Sequence, residues 1–345
     1  MRLPLYPLFV LSVAVVYPLQ GTPTAESCPP ASGSSTPSQP QGASSSDVPQ
    51  APAKQLPQQM DTAHLPNAVR VTGQVISGGE PADEAAFEEL RDLGVKTIVS
   101  VDGVRPKVAL AQRYGLRYVH LPHGYDGIAG PQLAQLAKAV RELGPVYLHC
   151  HHGKHRSPAA AAAACIVAGL IEPQQGAEVL QLAGTSPHYR GLVKTVRDAR
   201  PLDMAALERL PAEFPQTAAL SALVEAMVAL EQPLAALHSL AAASWQSPAE
   251  HPDLNAAHQA LLLREHYTEM LRMERVQSAS PAFRRLMGQG EEAAVELAAA
   301  LRAAAGRPLA NADIERLQGK MERVEENCRA CHTRFRDVPQ GELGQ

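Results

Sequence analysis

The sequence predicts an α/β domain, with a central mostly parallel sheet and flanking helices, followed by an all-α four-helix bundle. Three observations carry this expectation. From Asn67 to about Asp203, short β-branched or apolar runs alternate with helical periods, as in a sheet covered by helices. Beyond Pro201 the strand signals cease, and alanine- and leucine-rich helical periods run nearly to the end. At 345 residues the chain is also long enough for two domains.

At the N-terminus, Arg2 precedes an apolar run from Leu3 to Leu19 that is broken by Pro4, Pro7 and Pro18. It is short for a membrane span, and small polar residues follow, so residues 1–27 are expected to be a secretory signal peptide. The mature chain is expected to have no transmembrane helix. Cys28 follows Ala25-Glu26-Ser27, a loose likeness of a lipoprotein cleavage site. A lipid anchor at Cys28 and an ordinary cleaved signal therefore both stand as readings. Residues 28–66 are rich in Ser, Pro, Gln, Gly and Ala, bury too little to offset their ordering entropy, and are expected to form a disordered linker.

The first domain spans 67–203. Val69–Thr72 and Val75–Ser77 carry β-branched residues and suggest edge strands. Asp83 starts a helix whose apolar face is Ala86, Phe87, Leu90 and Leu93, with Gly94 as its stop. Val95–Val101 is expected to be a buried strand, Val108–Tyr114 a helix closed by Gly115, and Tyr118–Leu121 a strand. Pro131–Leu143 is again helical, ended by Gly144-Pro145. Residues 204–216 suggest a connector, and 217–338 the bundle. Its helical periods cover about Thr217–Ser244 (interrupted at Pro233), Leu254–Gln277, Ala282–Ala305 and Ala312–Arg336.

The net charge of −4, with no long basic run, argues against a general nucleic-acid binder. Five cysteines (Cys28, Cys150, Cys165, Cys328 and Cys331) do not form the spacing of a disulfide framework. In an exported chain they are then expected to have chemical roles. Cys165, mid-helix among Ala and Ile, is the exception and is expected to be a small core residue.

One stretch concentrates chemistry. Val146–Leu148 reads as a buried strand, and Pro158 with Ala159–Ala164 as a helix start. Between them His149-Cys150-His151-His152-Gly153-Lys154-His155-Arg156-Ser157 forms a tight loop. Amides at a helix N-terminus make an anion site, and the same positive end favours a thiolate. Arg156 adds a planar fork matched to phosphate oxygens. Ligands on parallel sheets bind at the C-terminal strand ends, where this loop lies. An inert buried cysteine and a His/Cys metal tract are the alternatives.

The Cys150-(five residues)-Arg156-Ser157 pattern resembles the active-site loop of the protein tyrosine and dual-specificity phosphatases. The likeness extends over Asn67–Asp203, including Gly184-Thr-Ser-Pro-His-Tyr-Arg190. It implies that Cys150 is the nucleophile and that His151, His152, Gly153, Lys154, His155 and Arg156 bind substrate. Ser157 would stabilise the departing thiolate and His149 would orient the loop. A proton donor is also implied. Asp126, on the Gly-flanked loop after the Tyr118 strand, is the candidate, with Asp102 in reserve; a turn aspartate bonding its own loop is the alternative for each.

On the last helix lies Cys328-Arg-Ala-Cys331-His332, the spacing of c-type haem attachment, with a disulfide redox pair or half a zinc site as the alternatives. In a four-helix bundle it resembles the class II cytochromes c, the cytochrome c′ and c556 group, over about Thr217–Arg336. That resemblance implies one covalent haem c, with thioethers at Cys328 and Cys331 and His332 on the iron. Met227, or more weakly His238, is the candidate sixth ligand. Covalent attachment occurs beyond the cytoplasmic membrane, which agrees with a signal peptide and a periplasmic location. The expected activity is phosphomonoester hydrolysis through a cysteinyl-phosphate, on a phosphorylated protein or a small phosphomonoester. A redox partner and a homodimer through the bundle are the further expectations. The alternative is a haem redox, gas-sensing or electron-transfer protein whose first domain is regulatory or inactive.

Overall fold

The computed structural model describes residues 56–248, 251–252 and 254–339. The signal-peptide expectation, Cys28 and the linker up to residue 55 lie outside them. Six strands form one mixed sheet: β1 (Gln58–Gln59), β2 (Val69–Thr72), β3 (Val75–Gly79), β4 (Thr97–Ser100), β5 (Arg117–His120) and β6 (Val146–Cys150). In space they run β1-β2-β3-β6-β4-β5. The first two pairings are antiparallel, and β3, β6, β4 and β5 are parallel. The register sets Gly79 against Cys150 and Ser100 against His149. Three strand ends thus open on one edge, where β6 hands the chain to the cysteine loop.

Seven helices accompany the sheet: α1 (Glu84–Asp92), α2 (Val108–Arg113), α3 (Gly130–Glu142), α4 (Arg156–Val167), α5 (Pro173–Leu182), α6 (Arg190–Asp198) and α7 (Met204–Arg209). Strand residues alternate between two faces. Val75, Val146 and Leu148 pack with α3, α4 and α6, whereas Ile76, Ile98, Tyr118 and Tyr147 pack with Phe87 and Leu90 of α1. Helix α4 is buried from Ser157 to Val167. Its alanine run lets strands and helices approach it on all sides, with no large side chain to hold them off. Asp83 caps α1 by accepting from the Ala86 N–H at 3.0 Å.

The C-terminal region consists of α8 (Ala222–Ala242), α9 (Ala256–Arg272), α10 (Glu274–Gln277), α11 (Pro281–Ala304) and α12 (Asn311–Phe335). Ser221, Asn255 and Ser280 cap three of these helices. Their apolar faces share a cluster that includes Leu237, Leu263, Met270, Leu297, Leu317 and Val324. None of the helices in the described residues is long and apolar enough to cross a membrane. The described parts of both regions belong to one compact unit, Ala53–Gln345. They are stitched at the sheet edge: the His120 N–H donates to the Pro215 carbonyl at 2.8 Å, and the Ala218 N–H to His120 Nδ1 at 3.0 Å.

Several expectations need correction. Order begins before Val69, since residues 58–59 pair with β2 and Leu65 is buried at 2 % exposure. Composition hid this because one short strand and one leucine do not shift a polar average. Strands β2 and β3 are both interior rather than edges, each paired on both sides. The connector holds α7, whose Leu207 joins the core under α3 and α4. Pro233 does not interrupt α8. An interior proline costs about 3 kcal/mol, which burial of Leu230, Leu237 and Leu240 on the same helix offsets. The helix expected over Leu254–Gln277 breaks at Met273 into α9 and α10.

Candidate active site

Cys150 ends β6 and Arg156 begins α4, so the loop between them closes over five residues. Gly153 makes the closure geometrically feasible. Its φ is +72°, and a Cβ there would stand 2.4 Å from the Gly79 nitrogen. The Asn67 amide, at φ 53°, donates to the carbonyls of Gly153 and Ala183, both at 2.9 Å. Thr185 Oγ1 donates to the Lys154 carbonyl at 2.7 Å, and the Glu80 N–H to the His151 carbonyl at 3.0 Å. The loop carbonyls are thus turned outward into the scaffold. Among the described residues, the N–H groups of residues 151–155 donate to no protein acceptor. Such a run of amides at a helix N-terminus is an anion nest.

Cys150 is 4 % exposed, with Sγ 3.3 Å from Ser157 Oγ. The Ser157 hydroxyl donates to the Gly78 carbonyl at 2.8 Å. With that proton committed, the thiol is the donor in the Cys150–Ser157 contact. Rotation of the same hydroxyl would instead present its proton to a thiolate.

The Arg156 guanidinium is held end-on by Asp102, Nη1 to Oδ1 at 3.0 Å and Nη2 to Oδ2 at 3.2 Å. Its Nε is buried and has no hydrogen-bond partner among the described residues. The Nη1–Nη2 end of the fork is therefore fixed, and on the Nε–Nη2 edge the Nε donor is left unpaired. Burial pushes the Asp102 carboxyl up, but the charge of Arg156 and the Gly103 N–H outweigh it and hold the carboxyl below its ordinary value. Both oxygens of the Asp102 carboxylate are thus committed to the Arg156 guanidinium.

A folded-state value below the unfolded one means that stability is present above about pH 4 and is lost as pH falls through the folded value. Asp102→Asn is expected to cost about 3 kcal/mol near neutral pH, the scale of a broken buried pair. It should also flatten the acid limb of the stability–pH curve. Denaturant unfolding at a series of pH values measures both.

The histidines of the loop diverge. His149 is buried beneath it, with Nε2 2.6 Å from the Tyr118 hydroxyl, and burial pushes it down to about 4. His151 lies 3.5 Å from Glu80. His155 accepts from the Ser186 N–H at 3.4 Å and packs at a tilt against Tyr189, with ring centroids 4.4 Å apart. Burial, and then Lys154, push His155 down to about 4. His152 and Lys154 are exposed. Among the described residues no group of three or more His, Cys, Asp or Glu is placed to hold a metal ion. Cys165 lies fully buried in α4, and burial alone pushes its thiol up to about 12.

Asp126 lies half-buried on the loop between β5 and α3. Its Oδ1 turns back over Gly124, and its backbone rests against Gly191, where a Cβ would fall 2.3 Å from the Asp126 carbonyl. Among the described residues no hydrogen bond joins Asp126 to Cys150 or Arg156, while its chain neighbour Tyr125 packs on Arg156. Sequence reasoning missed Tyr125, whose ring lies 4.8 Å from the Arg156 guanidinium and 4.7 Å from the Tyr189 ring. It also missed Asn67. Tyr125 stands beside Asp126 in the loop already singled out, but its direction depends on tertiary packing.

In α12, Cys328, Cys331 and His332 stand at i, i+3 and i+4 on one helix face. Both cysteines are free thiols. Burial raises both, Cys331 to about 11, and Cys328 lies 3.4 Å from the Tyr267 hydroxyl. Burial, and then Arg336, push His332 down to about 4, so its imidazole is neutral. Two reduced thiols and a neutral imidazole on one turn fit the donor chemistry of haem c. A cavity of about 360 Å³ lies between α11 and α12 on the adjoining face, lined by Asn327 and Ala330 rather than by the cysteines. Met227 packs against the helical core. His238 is engaged with Glu325 at 3.0 Å.

No family model matches the chain, and no curated protein matches it. Solved structures similar to it include P. aeruginosa TpbA, at 25% identity over 41% of this chain and 88% of that one, with a TM-score of 0.35. A structure of P. aeruginosa TpbA in complex with pTyr aligns at 22% identity over 45% and 96%, with a TM-score of 0.38. The core catalytic domain of the PP-IP phosphatase SIW14 from S. cerevisiae aligns at 15% identity over 43% and 93%, with a TM-score of 0.36.

Proposed function

We propose that the chain is a cysteine-dependent phosphatase that hydrolyses phosphomonoesters through a cysteinyl-phosphate. The observation that carries this is the juxtaposition of the Cys150 sulfur, uncommitted loop amides and a guanidinium with one open edge. In the first step the Cys150 thiolate attacks phosphorus in line. The S–P bond forms as the bond from phosphorus to the leaving oxygen breaks, and Asp126 gives that oxygen its proton. The amides of residues 151–156 and the Nε–Nη2 edge of Arg156 receive the equatorial oxygens, where transition-state charge spreads. In the second step water attacks phosphorus, Asp126 takes the water proton, and the S–P bond breaks. The Ser157 hydroxyl then turns from the Gly78 carbonyl to the departing thiolate. His149, neutral and bonded to Tyr118, supports the loop from beneath.

Purified full-length protein should hydrolyse an aryl phosphate, and Cys150→Ser should abolish turnover. Retained turnover would show that another group is the nucleophile. In the same assay Asp126→Asn should slow poor leaving groups by about 10²-fold or more and good ones far less, because only the former need the proton. Equal losses would remove Asp126 from the acid role.

The C-terminal region is proposed to carry one covalent haem c at Cys328 and Cys331, with His332 on the iron, in an exported, periplasmic protein. Bound there, the group would supply one-electron or gas-binding chemistry. Protein produced with export should show a Soret band that survives denaturation and acid–acetone extraction, and Cys328→Ala with Cys331→Ala should lose it. A colourless wild type with two titratable thiols would contradict the assignment.

A further inference from the structure

The end of α12 reaches the cysteine loop. Arg336 stacks on the Tyr125 ring, 4.4 Å from the centroid, while Arg156 lies 4.8 Å from the same centroid. One ring therefore contacts two guanidinia. Burial raises the Tyr125 hydroxyl and both guanidinia oppose it. Arg336 is itself fixed by Asp337, which is 5 % exposed: Nε donates to Oδ1 at 2.6 Å and Nη2 to Oδ2 at 3.3 Å. Asp337 also faces His188 at 3.4 Å, on the loop that carries Tyr189. The N–H groups of Arg336 and Asp337 both donate to the His332 carbonyl at 2.9 Å. The pair is thus anchored to the last turn of α12.

We infer that Arg336 is a positioning residue for Arg156, acting through the ring of Tyr125. The inference rests on the phosphatase reading and assigns the helical region a part in it. Asp102 fixes the Nη1–Nη2 end of the Arg156 fork, and Tyr125 covers its face. Together they leave the guanidinium one orientation, with the Nε–Nη2 edge toward the loop amides. The ring holds that place because a second planar cation packs on it. Without Arg336 the ring keeps its contact with Tyr189 but loses the cation that sets its tilt, and Arg156 samples orientations that do not bind the oxyanion.

The test uses the full-length protein and two readouts, the affinity for inorganic phosphate by calorimetry and kcat/KM for an aryl phosphate. Arg336→Ala should weaken both by about three- to fivefold, the scale of one partly exposed cation–π contact. Tyr125→Phe, which keeps the ring, should stay within about twofold of wild type on the same scale. Tyr125→Leu should lose as much as Arg336→Ala, and the double variant no more than either alone. Far-UV circular dichroism confirms that each variant is folded. Unchanged phosphate affinity in Arg336→Ala, or additive losses in the double variant, would overturn the inference. A wild type that binds phosphate without turnover would sink the catalytic reading alone, because the affinity cycle still tests Arg336. One that binds no phosphate overturns both.

Discussion

Arg156→Lys is expected to lower kcat/KM for an aryl phosphate by about 10²–10³-fold, the cost of removing an oriented donor from a charge-stabilising site. The charge is retained, so the loss isolates geometry. Arg156 is pinned by Asp102 through Nη1 and Nη2 and covered by Tyr125, while Nε stays buried and unpartnered. An ammonium can satisfy Asp102 or a phosphate oxygen, but it has no fork with which to hold both. Lysine should leave Asp102 paired and therefore cost little stability compared with Asp102→Asn. Steady-state kinetics beside denaturant unfolding separates the two effects. A variant within tenfold of wild type would mean that the open edge of Arg156 does not engage the substrate.

Gly153→Ala is expected to abolish turnover and to destabilise the fold by about 2 kcal/mol or more, a backbone effect at a strained position. The new Cβ would meet backbone, the Gly79 nitrogen at 2.4 Å and the Gly78 carbon at 2.5 Å, rather than a side chain able to swing away. The positive φ adds its own penalty. Displacing the loop from β3 would also break its tie to Asn67 and draw the Gly78 carbonyl away from Ser157. Activity and stability should therefore fall together, unlike the split expected for Arg156→Lys. Thermal or denaturant unfolding and aryl-phosphate kinetics on the same preparation measure this.

The parts of this site visible in the sequence are those encoded locally. Cys150 and Arg156 belong to one strand–loop–helix unit, and the helix that presents the amides announces itself through Pro158 and the alanine run. Gly153 was visible as a loop residue, but the reason it cannot change, its approach to β3, was not. Asp102 was a strand-end aspartate whose pairing with Arg156 depends on β4 lying beside β6, a sheet-order fact with no local signal. Tyr125 and Arg336 meet across most of the chain, so neither spacing nor composition pointed to the contact. In the fold, helical periods marked α11 and α12 well. The short α7 inside a proline-bounded connector and the two-residue β1 inside a polar tract were too brief for periodicity to register.

The phosphoenzyme is the most direct test. Full-length protein mixed with an aryl phosphate and quenched in acid within the first turnover should carry one phosphoryl group on the peptide containing Cys150, detected by mass spectrometry. Cys150→Ser treated in the same way should carry no thiophosphate and release no phenol. A covalent phosphoryl group on any other residue, or turnover with none trapped at Cys150, would contradict the assignment of that sulfur as the nucleophile.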